Sequence, residues 1–318
     1  MTMLDETPLV DVVGVGLNAT DTLIHLETYP DRGAKGEYRS ATILPGGQVA
    51  SAVVACGQWG LHTRYVGKLG EDDAARLHAE AFAQAGVETR ILTVPGGASA
   101  QSLIFVDSTG ERTVLNRRDD ALLIRPEEVK REWVTQARAL HVDGWDTEAA
   151  TAAAQWAHEA GVPVIADLDA KYPGVEDLAA RIDYLIVSRD FPGAMTGEPD
   201  LERALIRLQR EYRCRLTAAT LGEQGVLAWD GRRFHHAAAY YVPVADTTGA
   251  GDIFHAGFIY ALLQGWPLER QLDFACAAAA LNCAGAGARG GIQPVETIEA
   301  LMATGIRRDA EKFALRAD

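Results

Sequence analysis

Residues 246–264 read DTTGAGDIFHAGFIYALLQ. Three small residues, Gly249, Ala250 and Gly251, lead straight into a long apolar run. The pattern predicts a helix whose first backbone N–H groups are unobstructed. Such an end carries partial positive charge and draws in phosphate oxygens or developing negative charge. Asp252 falls in the first turn. Taken singly, it fits a dipole-favoured capping residue. Beside an open anion hole it has a second use, because phosphoryl transfer to an alcohol needs one group to take the proton and others to steady the phosphoryl. The whole string, more than the lone aspartate, favours the second reading.

Upstream of this stretch, short β-branched runs alternate with longer Ala-rich segments. Residues 10–16, 64–66, 139–142, 162–167, 184–187 and 216–220 read as buried strands. Residues 48–58, 73–85, 147–160 and 201–212 read as helices by length and spacing. This alternation predicts βαβ units: a mostly parallel sheet with helices on both faces, an α/β/α sandwich. Residues 22–44 and 99–118 break the pattern, alternating apolar with polar positions around turn signals (PDRG, STGER). They are expected to be antiparallel hairpins that meet as a small lid sheet at one end of the main one. Another hairpin is expected at 225–229 and 232–236, then helices from Gly249 and from Leu268. With no repeat and no low-complexity linker, residues 1–318 are read as one large domain carrying the lid.

Composition narrows the function. A formal net charge of −14 argues against a nucleic-acid backbone as partner, since that binding rests on clustered Lys and Arg. The opening MTMLDETPLV lacks the basic and apolar segments of a signal peptide, and no apolar stretch is long enough for a bilayer. A cytoplasmic protein without membrane association is therefore expected. Cys56, Cys214, Cys276 and Cys283 form no CxxC pair and read as reduced thiols. No GxxxxGK[ST] loop occurs. Residues 14–19 fit GxGxxA, the loose dinucleotide fingerprint, but residues 20–29 alternate like a strand where that fingerprint needs a helix. His235 and His236 are explained by an alternating hairpin face rather than by a metal.

The 246–258 string resembles the C-terminal signature of the PfkB, or ribokinase-like, carbohydrate kinases. Residues 45–60 (PGGQVASAVVACGQWG) resemble their N-terminal signature, and 66–72 (VGKLGED), 16–21 (GLNATD) and 220–225 (TLGEQG) follow in family order. The resemblance implies a ribokinase-like fold, ATP and Mg²⁺, and transfer of the γ-phosphoryl to a hydroxyl of a free sugar. A primary hydroxyl of a ketohexose-like sugar comes first, a nucleoside second, and a silent sugar- or nucleotide-binding regulator last, since Asp252 and its anion hole are intact. It implies Asp252 as base, with Gly249, Ala250 and Gly251 as the anion hole. Asp21, at the end of the first strand, would hold sugar hydroxyls, with Gly46, Gly47 and Gln48 at the start of the next helix. Ser51, also expected at the sugar, stands where many members place Asn. Thr220, Gly222, Gly225 and Cys276 would line the nucleotide site, and Asp246 with Thr248 would help hold a monovalent cation, K⁺ in members that use one. Ser188, counted with these ATP-binding positions, opens a string, SRDF, where many members have NxxE, with Asp190 as a substitute acid.

Two further places stay open between a solvated loop and a ligand contact. Trp145 and Asp146 follow a strand at the carboxyl edge of the sheet, where ligands sit in open α/β folds. Arg117 and Arg118 end the second lid strand; an arginine there suits a carboxylate, sulfonate or phosphate on the acceptor. Leu23, Leu26, Ile43, Leu103 and Phe105 give the lid apolar positions that a substrate alone would not cover, and relatives clasp two lids together. A homodimer through the lid is expected.

Overall fold

The computed structural model describes residues 10–108, 112–117 and 119–308. Nine strands form the main sheet: β1 (Val10–Val15), β4 (Thr63–Leu69), β5 (Glu88–Thr93), β8 (Ala137–Asp143), β9 (Val164–Leu168), β10 (Tyr184–Ser188), β11 (Leu216–Thr220), β12 (Val226–Trp229) and β13 (Phe234–Ala237). Their spatial order is β13-β12-β11-β10-β9-β8-β1-β4-β5, parallel from β11 to β5, with β12 and β13 antiparallel at one edge. Strands β2 (Ala19–Leu26), β3 (Tyr38–Gly46), β6 (Gln101–Val106) and β7 (Arg112–Arg117) make a separate small sheet in the order β3-β2-β6-β7.

The interior strands are buried on both faces, and alternate residues feed two cores. Val13, Leu140, Leu185 and Ala219 point to one, packed by α3 (Arg131–Thr135), α4 (Thr147–Ala160), α5 (Val175–Ala179), α6 (Phe191–Thr196) and α7 (Leu201–Tyr212). Val12, Ala139, Ile165, Ile186 and Ala218 point to the other, packed by α1 (Gln48–Gln58), α8 (Ala250–Leu263), α9 (Leu268–Asn282) and α10 (Val295–Thr304). Helix α2 (Asp73–Gln84) covers the β4–β5 end through Phe82, stacked on Tyr65 with ring centroids 4.6 Å apart. This is a three-layer α/β/α fold, and helix α8 is apolar nearly all round because sheet, α1 and α9 enclose it. Among the described residues, no helix is long and apolar enough to cross a membrane.

The lid departs from its sequence reading in one instructive way. Leu17 gives its N–H to Asp143 at 2.8 Å instead of extending the β1 ladder, so the chain leaves the main sheet there. It enters the lid at Ala19, placing Asp21 within β2 and not at the end of the first strand. Each hairpin is antiparallel, but β2 pairs with β6 in parallel, Asp21 opposite Ser102, which joins the hairpins into one sheet. The residues 14–19 lead into this strand and not into a helix, so the dinucleotide reading has no structural counterpart.

Candidate active site

Helix α8 begins where two cavities meet. Gly249 sits at its start with a φ of 73°, and a Cβ there would come within 2.3 Å of the Ala288 carbonyl oxygen, so only glycine fits the bend. Ala250 and Gly251 line a cavity of about 330 Å³, while Thr248, Gly249 and Asp252 line a second of about 250 Å³. One loop thus forms part of both walls.

The larger cavity is mostly apolar. Thr220, Gly222 and Gly225 close it from the β11–β12 turn, Phe254 from α8, and Cys276 with Ala279 and Ala280 from α9. Four of the five positions expected at the nucleotide (Thr220, Gly222, Gly225 and Cys276) therefore line one cavity. Ser188 does not line it; its hydroxyl donates to the Asp169 carbonyl at 3.0 Å, one strand away.

The smaller cavity is polar and lies under the lid. Asp21 and Ser102 reach it from β2 and β6, Asn116 and Arg117 from β7, Gly47 and Gln48 from the start of α1, and Trp145, Asp169 and Tyr172 from the carboxyl edge of the main sheet. Gly47 has a φ of 91°, and a Cβ on it would strike the Leu17 carbonyl at 2.6 Å, so the backbone lies close against 17–19. Gly46 packs behind: a Cβ there would be 2.2 Å from Asp21 Oδ2. Arg118 lies outside the described residues. Asp146 turns inward, taking the Ile124 N–H at 2.8 Å ahead of α4.

Carboxylates crowd this floor. Burial pushes Asp252 up to about 8; Asp167 and Asp21 add to the rise, while His255 and Arg289 oppose it. Burial likewise raises Asp167 to about 8 and Asp143 to about 7, the latter although it accepts the N–H groups of Leu17 and Trp145. Asp21 rises to about 6, mainly by burial, held back by a hydrogen bond from Ser102 and by Arg289. His255, one turn beyond Asp252, is pushed down by burial, against hydrogen bonds at Nδ1 to the Gly251 carbonyl (2.9 Å) and at Nε2 to the Ile186 carbonyl (3.2 Å). A base in such a place ionises near neutral pH, where proton abstraction is most effective.

Ser51 is turned away from the cavity. It is fully buried, and its hydroxyl accepts from Arg289 Nε at 3.1 Å, so the side chain expected to face sugar faces a loop instead. Asp246 ties its own loop to the one after α9, accepting from Thr248 N (2.9 Å), Thr248 Oγ1 (2.7 Å) and Gly287 N (2.8 Å). Among the described residues, no three His, Cys, Asp or Glu side chains converge as a metal cage. Sequence reasoning missed Asp167, Asp169, Ser102 and Arg289. Asp167 and Asp169 carried a usable signal, acids at the carboxyl end of a buried strand; Arg289, inside GAGARGG, carried none.

The profile of the pfkB family of carbohydrate kinases matches residues 18–295. The chain belongs to this family. As a pfkB kinase it is an ATP-dependent carbohydrate kinase with a ribokinase-like fold. It is 27% identical over 287 residues to an ATP-dependent ribose-1-phosphate kinase of Halopiger xanaduensis, spanning 88% of this chain and 94% of that one. It is also 27% identical over 284 residues to the 5-dehydro-2-deoxygluconokinase of Bacillus subtilis, spanning 81% and 86%. Among solved structures, the ribokinase of Arabidopsis thaliana complexed with ribose and ATP superposes with a TM-score of 0.81 at 24% identity, covering 93% of this chain and 99% of that one. The Thermotoga maritima ribokinase gives 0.82 at 23%, covering 93% and 100%. At these identities the likeness to the two ribokinases concerns the fold.

Proposed function

We propose that this pfkB kinase passes the γ-phosphoryl of ATP from the larger cavity to a hydroxyl in the smaller one, with Asp252 as the base. The observation that carries the reading is the position of residues 248–252, which wall both cavities at one helix N-terminus. ATP lays its adenine against the apolar wall of Cys276 and Ala279, leaving its phosphates at the Ala250–Gly251 backbone. Asp21 accepts from acceptor hydroxyls, and Asp252 takes the proton of the attacking one while the free N–H groups of α8 steady the phosphoryl. Magnesium would be held by Asp169 at the cavity edge together with the nucleotide's own phosphates, and would supply charge neutralisation among these carboxylates. Closure of the lid over the acceptor excludes water and limits wasteful hydrolysis.

The acceptor is a small sugar or sugar derivative, and a primary hydroxyl suits the narrow approach to Asp252. Ser51, which stands where many members place Asn, faces Arg289 and not the cavity. A second reading, an acceptor bearing a carboxylate or phosphate, has a specific observation in its favour. Arg117 is the one basic side chain among the described residues that line the acceptor cavity, and it stands beside Asn116. Both curated relatives above are named for acid or phosphorylated sugars. A coupled ADP-release screen over free ketohexoses and aldoses, sugar acids, sugar 1-phosphates and nucleosides decides between them. Turnover confined to anionic acceptors and lost in Arg117→Ala establishes the second reading, neutral acceptors alone the first. No acceptor-dependent ADP release would end both.

A lid-to-lid homodimer remains part of the proposal, on corrected residues. Leu23 and Leu26 are buried within this chain, whereas Ile43 (58%), Leu115 (55%) and Tyr38 (63%) are exposed. Tyr38 and Leu115 flank an apolar groove of about 440 Å³ with Ile24, Tyr29 and Phe105. A second copy of the lid covers that groove. Sedimentation at micromolar concentration should show a dimer, and Leu115→Lys a monomer; a fully active wild-type monomer rejects it.

A further inference from the structure

Arg289 comes from the glycine-rich loop after α9, and its side chain runs inward, across to the N-terminal half of the chain. Nη2 donates to the Gly46 carbonyl at 2.8 Å and Nε to Ser51 Oγ at 3.1 Å, joining positions 243 and 238 residues apart. The guanidinium lies over the Phe82 ring, 5.8 Å from its centre. Nη1 is buried with no hydrogen-bond partner among the described residues. A buried charge with an idle donor is costly, and a neutral amide could serve Gly46 and Ser51. Packing alone does not account for an arginine at this place.

Its surroundings do. Asp252 from α8, Asp21 from β2 and Tyr65 from β4 face the guanidinium, as does His78 from α2. No carboxylate pairs with it directly in the described structure, so its charge acts through space. Gly46, which it holds, packs its Cα against the Asp21 carboxylate and precedes the bend at Gly47. We propose that Arg289 is a positioning residue of the phosphoryl-transfer site: its fork fixes the Gly46–Gly47 bend beneath the acceptor, and its positive charge offsets negative charge on Asp252 and Asp21. This rests on the kinase reading above.

The two roles separate by substitution. Asp252 is faced by Asp167 from β9, Asp21 from β2, His255 on its own helix and Arg289; Asp21 is faced in addition by Asp246. Removing the guanidinium leaves Asp252 among two acids and His255, which favours the protonated form of Asp252. Arg289→Met should therefore move the acid limb of kcat/KM upward by about one pH unit, the scale of one unit charge acting across a partly screened interior. It should also raise acceptor KM about tenfold with ATP KM little changed. Arg289→Lys keeps the charge but loses the fork, so the pH limb returns toward wild type while acceptor KM stays high. Ser51→Ala loosens the fork with the charge in place, raising acceptor KM alone.

A readout free of turnover is the carboxyl ¹³C titration of the folded protein, with the Asp252 signal assigned by its loss in Asp252→Asn. An upward shift in Arg289→Met that is absent from Arg289→Lys and Ser51→Ala supports the inference, even if every acceptor fails and the kinase reading falls. An unmoved Asp252 titration in Arg289→Met, in an enzyme that turns over, overturns the inference and leaves the kinase reading standing. Should Arg289→Met not fold, Arg289→Lys and Ser51→Ala carry the test: both with wild-type acceptor KM overturns it.

Discussion

The two cavities differ in how they are made. The larger cavity, to which the proposal assigns ATP, is assembled mainly from a C-terminal stretch, β11 to α9, with mostly apolar walls. The smaller, assigned to the acceptor, draws on β2, α1, β6, β7, the carboxyl edge of the main sheet and α8, and its walls are more polar. A site built from neighbouring elements of one layer needs only their packing to exist. One built from the lid, the sheet and a helix end exists only when all three are in register. The nucleotide side should therefore tolerate change in the acceptor side, and not the reverse, because Asp252 belongs to the loop they share.

The sharpest way to break that comparison is at the shared loop. Asp252→Asn should lower kcat by roughly 10²–10⁴, the worth of a positioned general base, with ATP affinity unchanged by calorimetric titration. Retention of more than about a tenth of kcat removes Asp252 from the base role.

Asp21→Ala touches the acceptor cavity alone. Loss of a buried charged acceptor costs about 1.5–3 kcal/mol, or about 10–100-fold in kcat/KM for the acceptor, with ATP KM steady. A changed ATP KM with an unchanged acceptor KM would put Asp21 on the wrong side. Cys276→Leu is the converse. Cys276 is 4% exposed and donates weakly to the Ala237 carbonyl, so added bulk must enter the cavity. Overpacking of about 1–2 kcal/mol predicts about a 5–30-fold rise in ATP KM, with acceptor KM unmoved.

The smallest effect is on stability. Asp252 has a folded pKa of about 8 against 3.8 when free, so the folded state holds a proton that the unfolded state has lost. Stability from this group is full at low pH and is lost as pH rises from about 4 toward about 8. Asp252→Asn removes the loss. Its melting temperature relative to wild type should rise between pH 5 and pH 9, by about 2 °C or more, and a constant difference refutes the raised pKa.

These contrasts also explain what could be read before the structure. The α/β/α layering was legible because buried parallel strands such as residues 184–187 are continuous apolar runs bounded by helices of clear period. Strand β5 was missed because Glu88–Thr93 lies at the sheet edge, half-exposed and without a continuous apolar run. That Gly222, Gly225 and the 249–251 string share one cavity wall was legible through the family resemblance, because each belongs to a motif of consecutive residues. Asp21 was placed one element too early, since a hydrogen bond from Leu17 to a residue 126 positions away decides where β1 stops. Ser51 and Arg289 answer to each other across 238 residues, and neither position shows its partner in a local pattern.

Phosphoryl transfer across the shared loop is tested most directly by ³¹P NMR of ATP, magnesium and an acceptor found by the screen. The structure predicts that ADP and one new phosphomonoester signal grow together, with little inorganic phosphate, and that Asp252→Asn slows both by roughly 10²–10⁴. Inorganic phosphate in place of the phosphomonoester, or a phosphomonoester formed by Asp252→Asn at the wild-type rate, would contradict it.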